Sequence, residues 1–245
     1  MSAHANRIPE IIAHRGASRE CLENTLPAFA RALELAADAI ELDVHGTRDG
    51  VLVVHHDPDV RCAPNARPVP IATLSAAEVA AVELPGGHRM PTLDEVCALV
   101  GGRATLYVEV KASSVAALVV EALERHAGMR LAIHAFDHRL PVAVRRARPS
   151  TPIGLLSASY PLDVSAWLGA VHPDAVWQHA ALIDEAFVRA VHGFGARCIA
   201  WTVNDAPHAR ALAAWGVDGL CSDVPDVVRA AVTADRAADS PGRSP

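Results

Sequence analysis

From residue 11 to residue 232 the chain repeats one unit: a short apolar run followed by a one-sided helical pattern. The apolar runs fall at 11–13, 39–44, 105–111, 130–134, 153–156, 175–178, 197–203 and 219–222. Between them lie helical patterns such as Leu26, Phe29, Ala30, Leu33 and Ala37, whose three-to-four spacing puts the apolar side chains on one face. Eight strands alternating with about eight helices predict a single-domain α/β fold, the (β/α)8 TIM barrel. A length of 245 residues suits one such domain, here 1–233, with a tail at 234–245 that lacks apolar periodicity and is expected to be disordered. An open doubly wound sheet is the competing arrangement, but no glycine-rich dinucleotide loop follows the first strand.

Helix starts and turns are marked by local chemistry. Thr25 precedes the first helix and Pro27 falls in its first turn, where its missing N–H has no partner to lose. Ser75 with Glu78, and Thr92 with Glu95, have the spacing of capping boxes. Asp49-Gly50 reads as a turn leading into a strand at 51–54. Residues 58–92 form the longest irregular stretch, rich in proline and glycine, with one short helix inside it.

Several strands end in ionisable residues where an apolar core should continue. His14-Arg15-Gly16 closes the first, Glu41-Leu42-Asp43 lies on the second, and Glu109-Val110-Lys111 ends the third. Residues two apart on a strand share a face, so Glu41 and Asp43 project together, as do Glu109 and Lys111. Neighbouring carboxylates repel unless a proton or cation lies between them, and buried charges need partners. One reading is a structural salt-bridge network. The other is a cation site flanked by histidines at the C-terminal end of a barrel, where such folds carry their active sites. Three charged strand ends together with His55-His56-Asp57 favour the second.

Composition narrows the partners. A formal net charge of −6 and no basic stripe exclude a nucleic-acid binder, so an anionic substrate would be drawn by a local site. No apolar run is long enough to span a bilayer, and the N-terminus has no apolar signal core. The five cysteines are odd in number and scattered, which predicts free thiols and a cytoplasmic protein.

These residues as a set resemble the glycerophosphodiester phosphodiesterases. The resemblance rests on His14-Arg15-Gly16-Ala17 with Glu23-Asn24-Thr25, Glu41-Leu42-Asp43-Val44, Thr47-x-Asp49-Gly50, His56-Asp57, Pro91-Thr92-Leu93, Glu109-Val110-Lys111 and Trp201-Thr202-Val203-Asn204. It implies a phospholipase-C-like TIM barrel with a divalent metal and a histidine pair. His14 and His56 then match the general acid and base, and Glu41, Asp43 and Glu109 the metal ligands. Arg15 and Lys111 match the phosphate contacts. Trp201, at the end of the seventh strand, is read either as flanking the glycerol of the ligand or as a buried core residue. The chain departs from the family at Leu22, Ala37, Val60-Arg61 and Ala135, none of them a catalytic or metal position.

The activity implied is metal-dependent hydrolysis of a small-molecule glycerophosphodiester to glycerol 3-phosphate and an alcohol. A ligand set made only of carboxylates suits one Mg²⁺ or Ca²⁺ in preference to zinc. The alternatives are a lysophospholipase-D-like activity on acylated lipids and a non-catalytic barrel that binds phosphorylated metabolites. His55 should face away from His56. His134 and His179 are candidates for the cleft, while His45, His126, His172, His192 and His208 read as surface or helix-end residues. Asp223 reads as the cap of the last helix, which has Pro225 in its first turn, and Cys221 as a small core residue.

Overall fold

Strands β1 (Glu10–His14), β2 (Ala39–Gly46), β3 (Thr105–Val110), β4 (Leu131–Ala135), β5 (Ile153–Ser157), β6 (Ala175–His179), β7 (Arg197–Trp201) and β8 (Gly219–Ser222) are nearly continuous apolar runs. That composition fits strands buried on both faces. In the computed structural model, which describes residues 7–62 and 66–238, they pair in parallel from β2 through β8. β8 pairs with β1, and β1 pairs with β2, closing the expected TIM barrel.

Alternate residues on each strand go to two different cores. Ile12, Tyr107, Leu156, Trp177, Ile199 and Cys221 fill the barrel interior. Their neighbours Ile11, Leu42, Leu106, Ile133, Leu155 and Leu220 pack outward under the helices. At the N-terminal end of the barrel, Tyr107 Oη donates to Glu10 Oε2 at 2.8 Å, and Arg197 donates to both groups. This partly exposed polar cluster lies at the end opposite the functional strand ends.

The first turn shows why Gly16 stands where it does. Gly16 has φ +84°, and a Cβ there would lie 2.6 Å from the backbone carbon of Ala28 in the helix Leu26–Glu34. Only glycine combines that backbone with that approach. Gly16→Ala should therefore destabilise the protein by roughly 1–3 kcal/mol, read as a lowered midpoint in urea. An unchanged midpoint would show that the turn and the helix do not meet as described.

Both capping boxes form as expected, at Ser75 with Glu78 and Thr92 with Glu95. Thr25 occupies the N-cap position, but its hydroxyl donates to the Leu22 carbonyl instead of accepting from the helix. The Asp49-Gly50 turn leads into Leu52–Val54, which pairs antiparallel with the end of β2. The stretch expected to be irregular is more ordered than its composition suggested. Asp59–Val60 pairs with Val69–Pro70, and the helix Ala76–Ala80 follows. Val53, Val60, Ile71, Val79, Val82 and Met90 form a small core there, separate from those of the barrel. The last helix runs Pro225–Ala238, past the expected boundary at 233, and residues 239–245 of the expected tail lie outside the described residues. No helix among the described residues is long and apolar enough to cross a membrane.

Candidate active site

The register of β1, β2, β3 and β4 assembles the charged residues into one belt. His14 is level with Glu41, Asp43 with Glu109, and Glu109 with His134. Asp43 is fully buried and Glu41 is 2% exposed, so each carboxylate depends on its immediate partners.

Asp43 is the most heavily engaged. Lys111 Nζ lies 2.8 Å from its Oδ1, Arg15 Nε lies 3.1 Å from its Oδ2, and Asn24 Nδ2 donates to Oδ2 at 2.8 Å. Burial would raise its pKa, but the charges of Lys111 and Arg15 outweigh burial and hold it below the ordinary carboxylate value. Arg15 and Asn24 both have left-handed backbones, φ +55° and +56°, and Asn24 N–H donates to the Arg15 carbonyl. Such conformations are uncommon outside glycine and concentrate at functional sites.

Glu109 has the opposite balance. Lys111 Nζ donates to Oε1 at 2.6 Å, yet burial and the facing carboxylates of Asp43 and Glu41 push its pKa up. Glu41 accepts a hydrogen bond from the Arg15 backbone N–H at 3.2 Å. Across the belt, His134 Nε2 stands 3.7 Å from Glu41 Oε1, beyond hydrogen-bond reach. Ligand atoms of Glu41, Glu109 and His134 all lie within 4.8 Å of one another.

His14 is oriented by a residue 209 positions away. Its Nδ1 lies 2.6 Å from Asp223 Oδ1, and the same carboxylate accepts from Ser18 Oγ and Asn204 Nδ2. Since an ionised carboxylate only accepts, Nδ1 carries the hydrogen and Nε2 is left for chemistry. Burial opposes a charge on His14, but Asp223 and Glu41 raise its pKa above the usual value. Asp223, burial notwithstanding, is pulled down to about 2 by His14 and its other donors. The expectation that Asp223 caps the last helix is thus corrected. Its carboxylate serves His14, and Ser222 Oγ accepts from the Val224 N–H at the helix entrance.

The remaining candidates meet at a cavity of about 90 Å³ lined by His14, Arg15, Glu41, His56, Glu109 and Lys111, with Phe136 and Trp201 at its edge. His56 Nδ1 lies 2.8 Å from Asp57 Oδ1. His55 faces a different groove, beside Pro58, Val60 and Leu84 of the insertion, and burial lowers its pKa. Trp201 is flanked edge-on by Phe136 and by His179.

One histidine differs from expectation. His45 is buried on β2, with Nε2 donating to the His56 carbonyl at 3.1 Å, and is not a surface residue. Burial lowers its pKa. His134 lines the cavity, as a cleft candidate should, whereas His179 is outside its lining and stands edge-on to Trp201. A lone histidine at the end of an apolar strand gives little sign of this; the available signal was that His134 shares its face with Ala132 inside the barrel.

The donor set fits a divalent cation. Among the described residues, three buried carboxylates from β2 and β3 converge on two positive side chains, Arg15 and Lys111, a surplus of one negative charge, and burial together with the facing carboxylates raises the Glu109 pKa. A cation relieves that surplus.

Comparison with known proteins agrees in family and in fold. The family model described as the glycerophosphoryl diester phosphodiesterase family matches residues 14–227. The chain is 34% identical to a glycerophosphodiester phosphodiesterase of Caldanaerobacter subterraneus subsp. tengcongensis, over 89% of this chain and 95% of that protein. It is 28% identical to a glycerophosphodiester phosphodiesterase of Bacillus subtilis, over 88% of this chain and 84% of that one. In fold it is similar to an Oleispira antarctica phosphodiesterase solved in complex with the product sn-glycerol-3-phosphate, with a TM-score of 0.83, 24% identity, and coverage of 92% and 97% of the two chains.

Proposed function

The chain belongs to the glycerophosphoryl diester phosphodiesterase family, and on that premise we propose that it hydrolyses glycerophosphodiesters to glycerol 3-phosphate and an alcohol. In this reading His14 and His56 are the acid and base, and a divalent cation is held by the carboxylates of β2 and β3. One observation carries the proposal: two histidines, each anchored at Nδ1 by a carboxylate, line the same small cavity as Arg15, Lys111, Glu41 and Glu109.

A phosphodiester anion resists attack because of its charge and its poor alkoxide leaving group. Glu41, Asp43 and Glu109 are the residues that would hold the cation. When bound, the cation supplies charge neutralisation at a non-bridging phosphoryl oxygen. Arg15 offers a planar fork of donors beside it and Lys111 a point charge, so both bind and orient the phosphate. Each histidine presents Nε2 to the cavity. One accepts the proton of the attacking hydroxyl, and the other donates a proton to the departing oxygen. The attacking group is either water or the neighbouring glycerol hydroxyl; in the second case a cyclic phosphate forms and water opens it. Net, one water is consumed and one P–O bond is replaced by another.

Incubation with glycerophosphocholine and a divalent ion should release glycerol 3-phosphate, and excess chelator should abolish the release. Full turnover by protein verified to be metal-free would overturn the metal assignment. Phe136, 49% exposed against Trp201, gives the cavity an apolar edge that favours trying acylated lysophospholipids as the second substrate class. The acid–base pair argues against a barrel that only binds, because binding alone needs no proton relay. The unpaired thiols support a reducing compartment, the cytoplasm, as the place of action.

The two adjacent histidines separate cleanly by experiment. His56→Ala should lower kcat by roughly 10²–10⁴-fold, the range for a lost acid or base. His55→Ala should change it several-fold at most, because His55 lines the insertion groove. Equal losses would reassign the residue that faces the substrate.

A further inference from the structure

We propose that His134 is a ligand of the metal centre, and that this protein therefore prefers a borderline transition ion such as Mn²⁺, Co²⁺ or Zn²⁺ over Mg²⁺ or Ca²⁺. The inference rests on the reading of β2 and β3 as a cation site. It changes the donor set from oxygen alone to oxygen with imidazole nitrogen, and imidazole favours transition ions where carboxylates alone favour hard ones.

His134 is 1% exposed, yet it makes no hydrogen bond that would explain its burial. Nδ1 is buried without a partner, and Nε2 stops 3.7 Å short of Glu41 Oε1. A histidine serving only as a structural partner would close that gap, since an unsatisfied buried polar group costs about 1–3 kcal/mol. The separation instead leaves room for an ion between imidazole and carboxylate. The mutual reach of Glu41, Glu109 and His134, all within 4.8 Å, suits three ligands of one ion.

The ring is held in that attitude by stacking. Trp177 lies parallel to it at 4.3 Å between centroids and 6° between planes. Gly154 makes the stack possible: a Cβ there would stand 2.8 Å from Trp177 Cδ1 and 3.1 Å from His134 Cβ. Orientation that many metal-bound histidines receive from a hydrogen bond at their second nitrogen comes here from an aromatic face. Asp43, with both oxygens held by Lys111, Arg15 and Asn24, is the least free of the carboxylates to approach an ion.

The test is metal binding, not turnover. Apo protein titrated with Co²⁺, Mn²⁺, Mg²⁺ and Ca²⁺ by calorimetry should bind the first two at least about 10-fold more tightly. His134→Gln, which replaces the nitrogen by an amide of similar reach, should weaken Co²⁺ at least about 10-fold and Ca²⁺ by less than about 3-fold. Because a buried substitution can disturb the barrel, the wild-type Co²⁺ protein gives a second reading: its proton NMR spectrum should contain a hyperfine-shifted imidazole resonance. Tight ion binding without that resonance, or with Co²⁺ affinity unchanged in His134→Gln, overturns the proposal and leaves the carboxylate site standing. Absence of any ion binding to the wild type would instead overturn the cation reading on which it rests.

Discussion

His14→Ala is expected to lower kcat by roughly 10²–10⁴-fold with the fold intact. The loss should be largely in kcat, because His14 acts on a proton and Arg15 and Lys111 remain to bind the phosphate. Asp223→Asn distinguishes chemistry from packing. It keeps the shape of the group beside Nδ1 but removes the charge that raises the His14 pKa. The limb of the bell-shaped pH–rate profile that belongs to His14 should then move to lower pH. If the acid limb moves, His14 works as the base; if the alkaline limb moves, it works as the acid. A profile in which neither limb moves would remove His14 from the proton relay. The pair also makes stability depend on pH. His14, with a raised folded pKa, contributes fully below its unfolded value, and that contribution is lost as pH rises through the folded value. Asp223, lowered to about 2, contributes above the ordinary carboxylate value, and that contribution is lost as pH falls towards about 2. Both contributions are present only between those limits, in mildly acidic solution.

Lys111→Met should produce the largest loss of stability. Lys111 pairs with both Asp43 and Glu109, and its side chain is 15% exposed. Removing it leaves buried carboxylates facing one another, and breaking a buried ion pair costs about 3–5 kcal/mol. The lower end is expected, because Arg15 still holds Asp43. The deficit should shrink in acid, where Glu109, its pKa already raised, takes up a proton and the repulsion falls. A divalent ion at 100 times its Kd should restore about 2.7 kcal/mol, as any ligand of the native state does. Urea midpoints measured with and without the ion, at two pH values, test all three statements. A variant as stable as the wild type in the absence of metal would show that the carboxylates do not face one another.

The barrel could be read from the sequence because every strand is a short apolar run set off by capping or turn residues, and those signals are local. Glu41, Asp43, Glu109 and Lys111 could be read too, because alternation along a strand places each on a face without knowledge of the neighbouring strand. The His14–Asp223 contact could not. It joins the first strand to the residue after the last, and exists only once β8 closes on β1. Next to a helix start, an aspartate looks like a cap, which is the more common use of that residue. His134 was ambiguous for a related reason: its role depends on the carboxylates that β2 and β3 bring to it and on the stack with Trp177 that Gly154 permits. The insertion was misjudged because its apolar residues are few and widely spaced in sequence, and only the turn at Asp49-Gly50 and the pairing of residues 59–60 with 69–70 gather them.

The separate core of that insertion bears on how such an enzyme can change over generations. Val60, Ile71, Val79, Val82 and Met90 pack on one another, not into the barrel. Substitutions among them would reshape the groove beside His55 while the barrel strands that carry Glu41, Asp43 and Glu109 keep their spacing. The same division makes the insertion a unit that could be exchanged between relatives with the barrel core left unchanged.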